Sequence, residues 1–207
     1  MSSQHEFYNA NVFINCPFDK NYFNLLHAIT FTIIRCSFIP HCALEHDDAS
    51  TNRIDKLYRL IEICRYGIHD ISNTELDSKT RLPRFNMPFE LGLFLAAKKF
   101  GNEEQQKKKM LVFEKEKFQS KIYLSDLNGI DPKAHDNNAI KIIEQVRSWL
   151  STASRKKLPG HLIIQKEFSE FYNNSLPQIV SSAGLTLETL SFNDYCLFVE
   201  EWLTSKL

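Results

Sequence analysis

Neither charge is in excess. Lysine plus arginine and aspartate plus glutamate number 25 each, so the formal charge at pH 7 is zero. A dedicated nucleic-acid binder carries a basic surplus on one face, and nucleic acid is therefore not an expected partner. Five cysteines, an odd number with no C-x-x-C pair, give neither a disulfide framework nor a zinc-finger spacing. Cys36, Cys42 and Cys64 stand among apolar neighbours and are expected in the core. Cys16 closes an apolar run with no base beside it. The stretch "CPFDKN" follows the first apolar run where a glycine-rich phosphate loop would stand, which sets phosphoryl transfer aside. Only six glycines occur, and no long flexible linker divides the chain. No apolar run approaches a membrane span of about 20 residues, and no apolar leader opens the chain. The expectation is a cytoplasmic protein with no membrane contact, no metal site and no resident cofactor.

What is present is a globular composition, 43% hydrophobic and 24% charged. "NVFINC" (11–16) reads as a buried strand, "YFNLLHAITFTIIR" (22–35) as a helix and "FIPHCAL" (38–44) as a second strand. "NRIDKLYRLIEICR" (52–65) is an amphipathic helix and "YGIHDIS" (66–72) a third strand. "RFNMPFELGLFLAAKK" (84–99) predicts a helix with Asn86 as cap and Pro88 in its first turn. "KMLVFE" (109–114) and "KIYLSDL" (121–127) follow as fourth and fifth strands, then a helix over 137–151. Lys107 to Lys109 read as a solvated turn. This alternation implies an α/β, flavodoxin-like, doubly wound parallel sheet of about five strands in the order 2-1-3-4-5. Residues 159–207 show helical patterns only. We expect an α/β domain over 1–158 and a C-terminal helical extension over 159–207, the latter serving self-association or a partner protein.

In that topology, strand ends meet at a crevice. The first strand delivers Asn15, Pro17, Phe18 and Asp19; the third delivers Asp70 and Ser72; the next helix starts with Asn86, Phe89 and Glu90. Phe18, Phe85 and Phe89 offer an aromatic wall. Polar groups beside rings suit a sugar or nucleotide. Two carboxylates also suit N-glycosidic cleavage, where positive charge builds on the ribose: one stabilises or attacks the anomeric carbon, the other serves a proton or a water. Singly, each residue has a plainer explanation. Glu90 suits the positive end of a helix, Asp70 a turn, and Asn15 and Asp19 caps. His69 points to the opposite face by strand alternation and reads as structural. Arg53 and Arg84 suit phosphate, but surface ion pairs explain them better.

"YGIHDIS", a loop, and "FNMPFELGLFLAAKK" resemble the strand–loop–helix signature of the nucleoside 2-deoxyribosyltransferase-like and TIR-like superfamily. Asp70, Ile71 and Ser72 match its Asp-Leu-Ser/Thr tripeptide; Asn86, Glu90 and Gly92 match its Asn-x-x-x-Glu-x-Gly helix start. "VFINCPFD" is similar to its first strand and ligand-facing loop, and the resemblance spans about residues 11–150. It implies that Glu90 is the catalytic carboxylate, acting on deoxyribose in the transferase branch. In the TIR branch it acts on NAD, often in an assembly and in antiviral defence. Phe13 and Arg84 stand where the transferases commonly carry Tyr and Asp. Nicotinamide leaves neutral from a cationic glycoside and needs no acid, so NAD or a related nucleotide is the expected substrate. The alternative is a non-catalytic nucleotide-sensing or assembly module of the same fold.

Overall fold

The apolar runs that read as strands do pair into one sheet. The computed structural model describes residues 7–45, 50–73, 81, 85–127 and 129–206. β1 (Asn11–Asn15) and β3 (Tyr66–Asp70) are buried at every residue, as near-continuous apolar strands covered on both faces must be. β2 (Ile39–Cys42), β4 (Lys109–Glu114) and β5 (Lys133–Ala134) complete an all-parallel sheet in the order β2-β1-β3-β4-β5. This is the α/β, flavodoxin-like order expected from the alternation. β1 pairs with β2 from Asn11↔Ile39 and with β3 from Val12↔Tyr66. The chain leaves β1 for one edge and returns on its other side, which makes the β1–β3 boundary the topological switch point.

By contact density the chain falls into two compact units, Met1–Phe23 with Ile39–Asn138, and Asn24–Phe38 with Ala139–Leu207. The first holds the sheet with α2 (Arg53–Ile63), α3 (Asn86–Phe100) and the short α4 (Glu103–Gln106). Its main core joins Phe13 of β1, Leu57, Leu60 and Ile61 of α2, Cys64 and Phe94 of α3. A second cluster joins Ile71, Met87, Leu91 and Val112. Gly67 is needed here for space: a Cβ on it would lie 2.7 Å from His69 Nε2 and 2.8 Å from the Phe94 ring.

The second unit is helical. It contains α1 (Phe23–Arg35, of which Asn24 onward belongs to it), α6 (Ala139–Ser154), α7 (His161–Glu170), α8 (Leu176–Ser182) and α9 (Phe192–Thr204), α5 being a single turn at Ser120–Tyr123 in the sheet unit. Phe31 packs its ring against Phe168, Phe171 and Trp202, and the Tyr195 hydroxyl donates to the His27 carbonyl. Thus α1 and α6, from the stretch read as an α/β domain, group by contact with the helices after residue 159. No helix among the described residues is long and apolar enough to cross a membrane.

Three local expectations need correction. The fifth strand is Lys133–Ala134, not 121–127, which turns into α5 and a 3₁₀ turn over Ser125–Leu127. Buried Glu114, at the end of β4, accepts from Phe118 N (2.7 Å), Ser120 N (3.0 Å) and Ser120 Oγ (2.8 Å), folding the chain back before a strand can start. Asn86 does not cap α3. It is the first helical residue, and Phe85, with no side-chain acceptor, holds the cap position. Lys108 is no solvated turn residue. It is fully buried, donates from Nζ to the carbonyls of Ile61 (2.5 Å) and Cys64, and lies over the Phe94 ring. These carbonyls end α2, so the lysine caps that helix from another part of the chain.

Candidate functional site

Two helix starts in the sheet unit define a cleft of about 310 Å³. On one side α2 begins with its cap Asn52, whose side chain accepts from Ile54 N (3.2 Å) while its carbonyl takes the N–H groups of Asp55 and Lys56. Arg53 and Lys56 project from this turn into the lining. On the other side stand Asn86, Phe89 and Glu90 of α3. The Asn15 amide donates to the Met87 carbonyl (2.9 Å), which ties the first turn of α3 to the end of β1. Met87, Leu91 and Phe94 form the buried stripe of α3, and Glu90 sits at its flank.

Glu90 is 9% exposed, and its carboxylate has no hydrogen-bond partner among the described residues. Burial pushes its pKa up to about 7, against the pull of the Arg53 charge. It is the fifth residue of α3, not a first-turn acid, and the helix-end field falls off within the first turn. The dipole therefore does little to hold the proton off. A carboxyl shifted toward neutrality and lining a cleft is a candidate functional group.

Asp70 is in a different situation. Fully buried at the end of β3, it accepts from the Tyr22 hydroxyl (2.5 Å) and the Ser72 N–H (2.8 Å), and His135 Nε2 lies 3.2 Å from it. Burial alone would raise its pKa, but His135, Ser72 and Tyr22 outweigh that and hold it below the usual carboxylate range. Its oxygens are spent within the protein.

No family model and no curated protein matches this chain. The site therefore stands on its own geometry.

Of the residues singled out in the sequence, Asn86, Phe89 and Glu90 line the cleft, with Phe89 54% exposed as a ring available for stacking. Asn15 is buried, its amide shared between Met87 and His69 Nδ1 (3.1 Å). Pro17 is buried and Phe18, Asp19 and Ser72 are half-buried at the strand ends, outside the described lining; Asn73 Nδ2 lies 3.5 Å from Asp19. Phe85 is exposed, and Arg84 lies outside the described residues. His69 packs between Phe13 and Phe94, and burial, then Lys108, drives its pKa down to about 3. Cys16, Cys36, Cys42 and Cys64 are buried free thiols; burial lifts Cys36 to about 11 and Cys42 to about 12. Among the described residues no group of three or more His, Cys, Asp or Glu is placed to hold a metal ion.

Sequence reasoning looked to the strand ends and undervalued α2. The signal was available: α2 and α3 are successive crossovers running the same way along the sheet, so right-handedness puts both on one face, and they pack together. Their starts must then be neighbours. Tyr22 and His135, the partners of Asp70, carried no such signal.

Proposed function

We propose that this cleft is the substrate site of an enzyme that cleaves the N-glycosidic bond of NAD or a related nucleotide, with Glu90 as its reacting carboxylate. One observation carries the reading: a buried carboxyl, unpartnered among the described residues and poised near neutrality, lines a cleft beside an exposed aromatic ring and a guanidinium. The C1′–N bond breaks with its electron pair leaving on neutral nicotinamide. The ionised Glu90 stabilises the cationic ribose or bonds to C1′, and water then supplies the new C1′–O bond and releases its proton. Asn86 orients ribose hydroxyls or the water. Asp70 holds the end of β3 and does not react. The chain would then be a TIR-like or deoxyribosyltransferase-like protein of the cytoplasm, acting in antiviral defence and self-associating through its C-terminal helices.

The test is incubation of wild type and Glu90→Gln, at low and high protein concentration, with NAD and a panel of nucleosides and nucleotides. Wild type is expected to release nicotinamide or a free base, and the variant to be slower by at least about a hundredfold. The rate should rise with pH through about 7, because the ionised carboxylate is the active form. Wild-type turnover by Glu90→Gln would sink the mechanism. The commitment of Asp70 to Tyr22, Ser72 and His135 favours one rival, a module that binds nucleotide without consuming it. Absence of product from every substrate, with stable thermal protection by nucleotide, would select that rival.

A further inference from the structure

The neutral net charge hides a local excess. Residues 145–166 contain no Asp or Glu, yet Arg147, Arg155, Lys156, Lys157 and Lys166 all fall there. Arg147 is used within the protein: it donates to the carbonyls of Pro159 (2.6 Å) and Leu158 (2.8 Å). Ser151 Oγ donates to the Lys156 carbonyl (3.2 Å), and Arg155, at φ 56°, ends α6 in the left-handed conformation. These bonds hold the 155–160 connection against α6. The cations of Arg155, Lys156, Lys157 and Lys166 stay exposed on it and on α7.

α7 then opens with two aliphatic side chains in solvent. Ile164 and Phe168 form its buried side, whereas Leu162 is 71% and Ile163 53% exposed. The Gln165 amide donates to the Ile140 carbonyl (3.0 Å), which brings the start of α6 and the exposed Ile140 beside α7. The acids that bound this stretch in sequence are Glu144, exposed on α6, and Glu167, which is held by Arg35 at 2.7 Å.

We propose that this face of the helical unit docks on an anionic lipid surface, its four exposed cations meeting the headgroups while Leu162 and Ile163 enter the boundary with the acyl chains. Two features select lipid among anionic partners. Aliphatic side chains gain by entering that boundary, whereas nucleic-acid strands are gripped by aromatic stacking, and residues 155–166 contain no Phe, Tyr or Trp. A second copy docking through the same face would set like charges opposite one another. The expectation of no membrane contact rested on the lack of a spanning run, and a surface contact needs none. Each cation held near an anionic bilayer strengthens binding roughly fivefold.

Flotation of the full chain with vesicles of phosphatidylglycerol and phosphatidylcholine, beside vesicles of phosphatidylcholine alone, reads this contact without turnover. Its outcome is therefore independent of the Glu90 reading. Wild type should bind the anionic vesicles at least about tenfold more tightly than the neutral ones, and the preference should shrink as salt rises. Lys157→Gln/Lys166→Gln should weaken binding about 10- to 30-fold and Leu162→Gln about 3- to 10-fold. All three side chains are exposed, so the melting temperature should not change. No binding to anionic vesicles at low salt, equal binding to neutral ones, or wild-type binding by the lysine variant would each overturn the proposal. So would wild-type binding by Leu162→Gln, which would leave charge attraction alone. Tighter binding of a single-stranded oligonucleotide, lost in the lysine variant, would assign the face to nucleic acid and overturn the lipid assignment.

Discussion

Replacing Glu90 by glutamine keeps the side-chain shape and removes only the ability to ionise. In the folded protein burial raises the Glu90 pKa from its ordinary 4.5 to about 7. The folded state therefore holds this proton more tightly than the unfolded chain. Stability from this group is fully present below the unfolded value and is lost as pH rises through about 7. The gap corresponds to a ceiling of about 3 kcal/mol, and water in the open cleft screens part of it, so roughly 1–3 kcal/mol is expected. Relative to wild type, Glu90→Gln should be nearly neutral at about pH 4 and stabilising by that amount at about pH 8.

The assay is urea unfolding of both proteins across this range at fixed ionic strength. The probe matters, because Trp149 and Trp202 both lie in the helical unit and tryptophan fluorescence follows that unit. Hydrogen exchange of the β1 and β3 amides follows the sheet unit that contains Glu90. A stability difference that stays flat with pH would refute the desolvation argument, whatever the variant does to activity. So would a variant that is less stable at high pH.

Two further perturbations test the packing around the site. Lys108→Met should destabilise by about 1–3 kcal/mol, since the Ile61 and Cys64 carbonyls lose their donor, read as a lower urea midpoint. Burial holds the Lys108 pKa down at about 8, so wild type gains stability from this group as pH rises from about 8 to 10; its lead over the variant should widen there. Gly67→Ala should cost about 1–3 kcal/mol in a thermal melt, because the new methyl meets His69 and Phe94 at 2.7 and 2.8 Å.

The order of the sheet was readable because it depends on few things: buried apolar runs, helical spacing between them and the hand of crossovers. Four of five strands lie where their apolar runs predict them. The fifth failed because its position is decided by a long-range acceptor. Nothing within "KIYLSDL" reveals that the Glu114 carboxylate, fixed by β4, will claim the Phe118 and Ser120 donors. Lys108 was misread for a related reason. A lysine between two lysines is ordinarily solvated, and only the fold shows that the C-terminal carbonyls of α2 end where its ammonium reaches. Of the site, Glu90, Asn86 and Phe89 were legible as a helix start, whereas Arg53 required knowing that α2 and α3 begin side by side.

Among the described residues of the sheet unit, three carboxylates, Asp70, Glu90 and Glu114, are almost fully buried, and they differ in their partners. Glu114 receives three hydrogen bonds. Asp70 receives two and faces His135. Both are met by donors of the fold, which repay the loss of water. Glu90, 9% exposed, is nearly as hidden yet meets no donor among the described residues. The same fold that supplies donors to two acids leaves the third at the edge of a cleft, where its ionisation is expected to weaken the protein at neutral pH. Among the described residues nothing occupies the hydrogen-bonding capacity of this acid, which faces the cleft. That ties the two tests of Glu90 together: the glutamine variant should gain stability at the pH values at which it loses turnover.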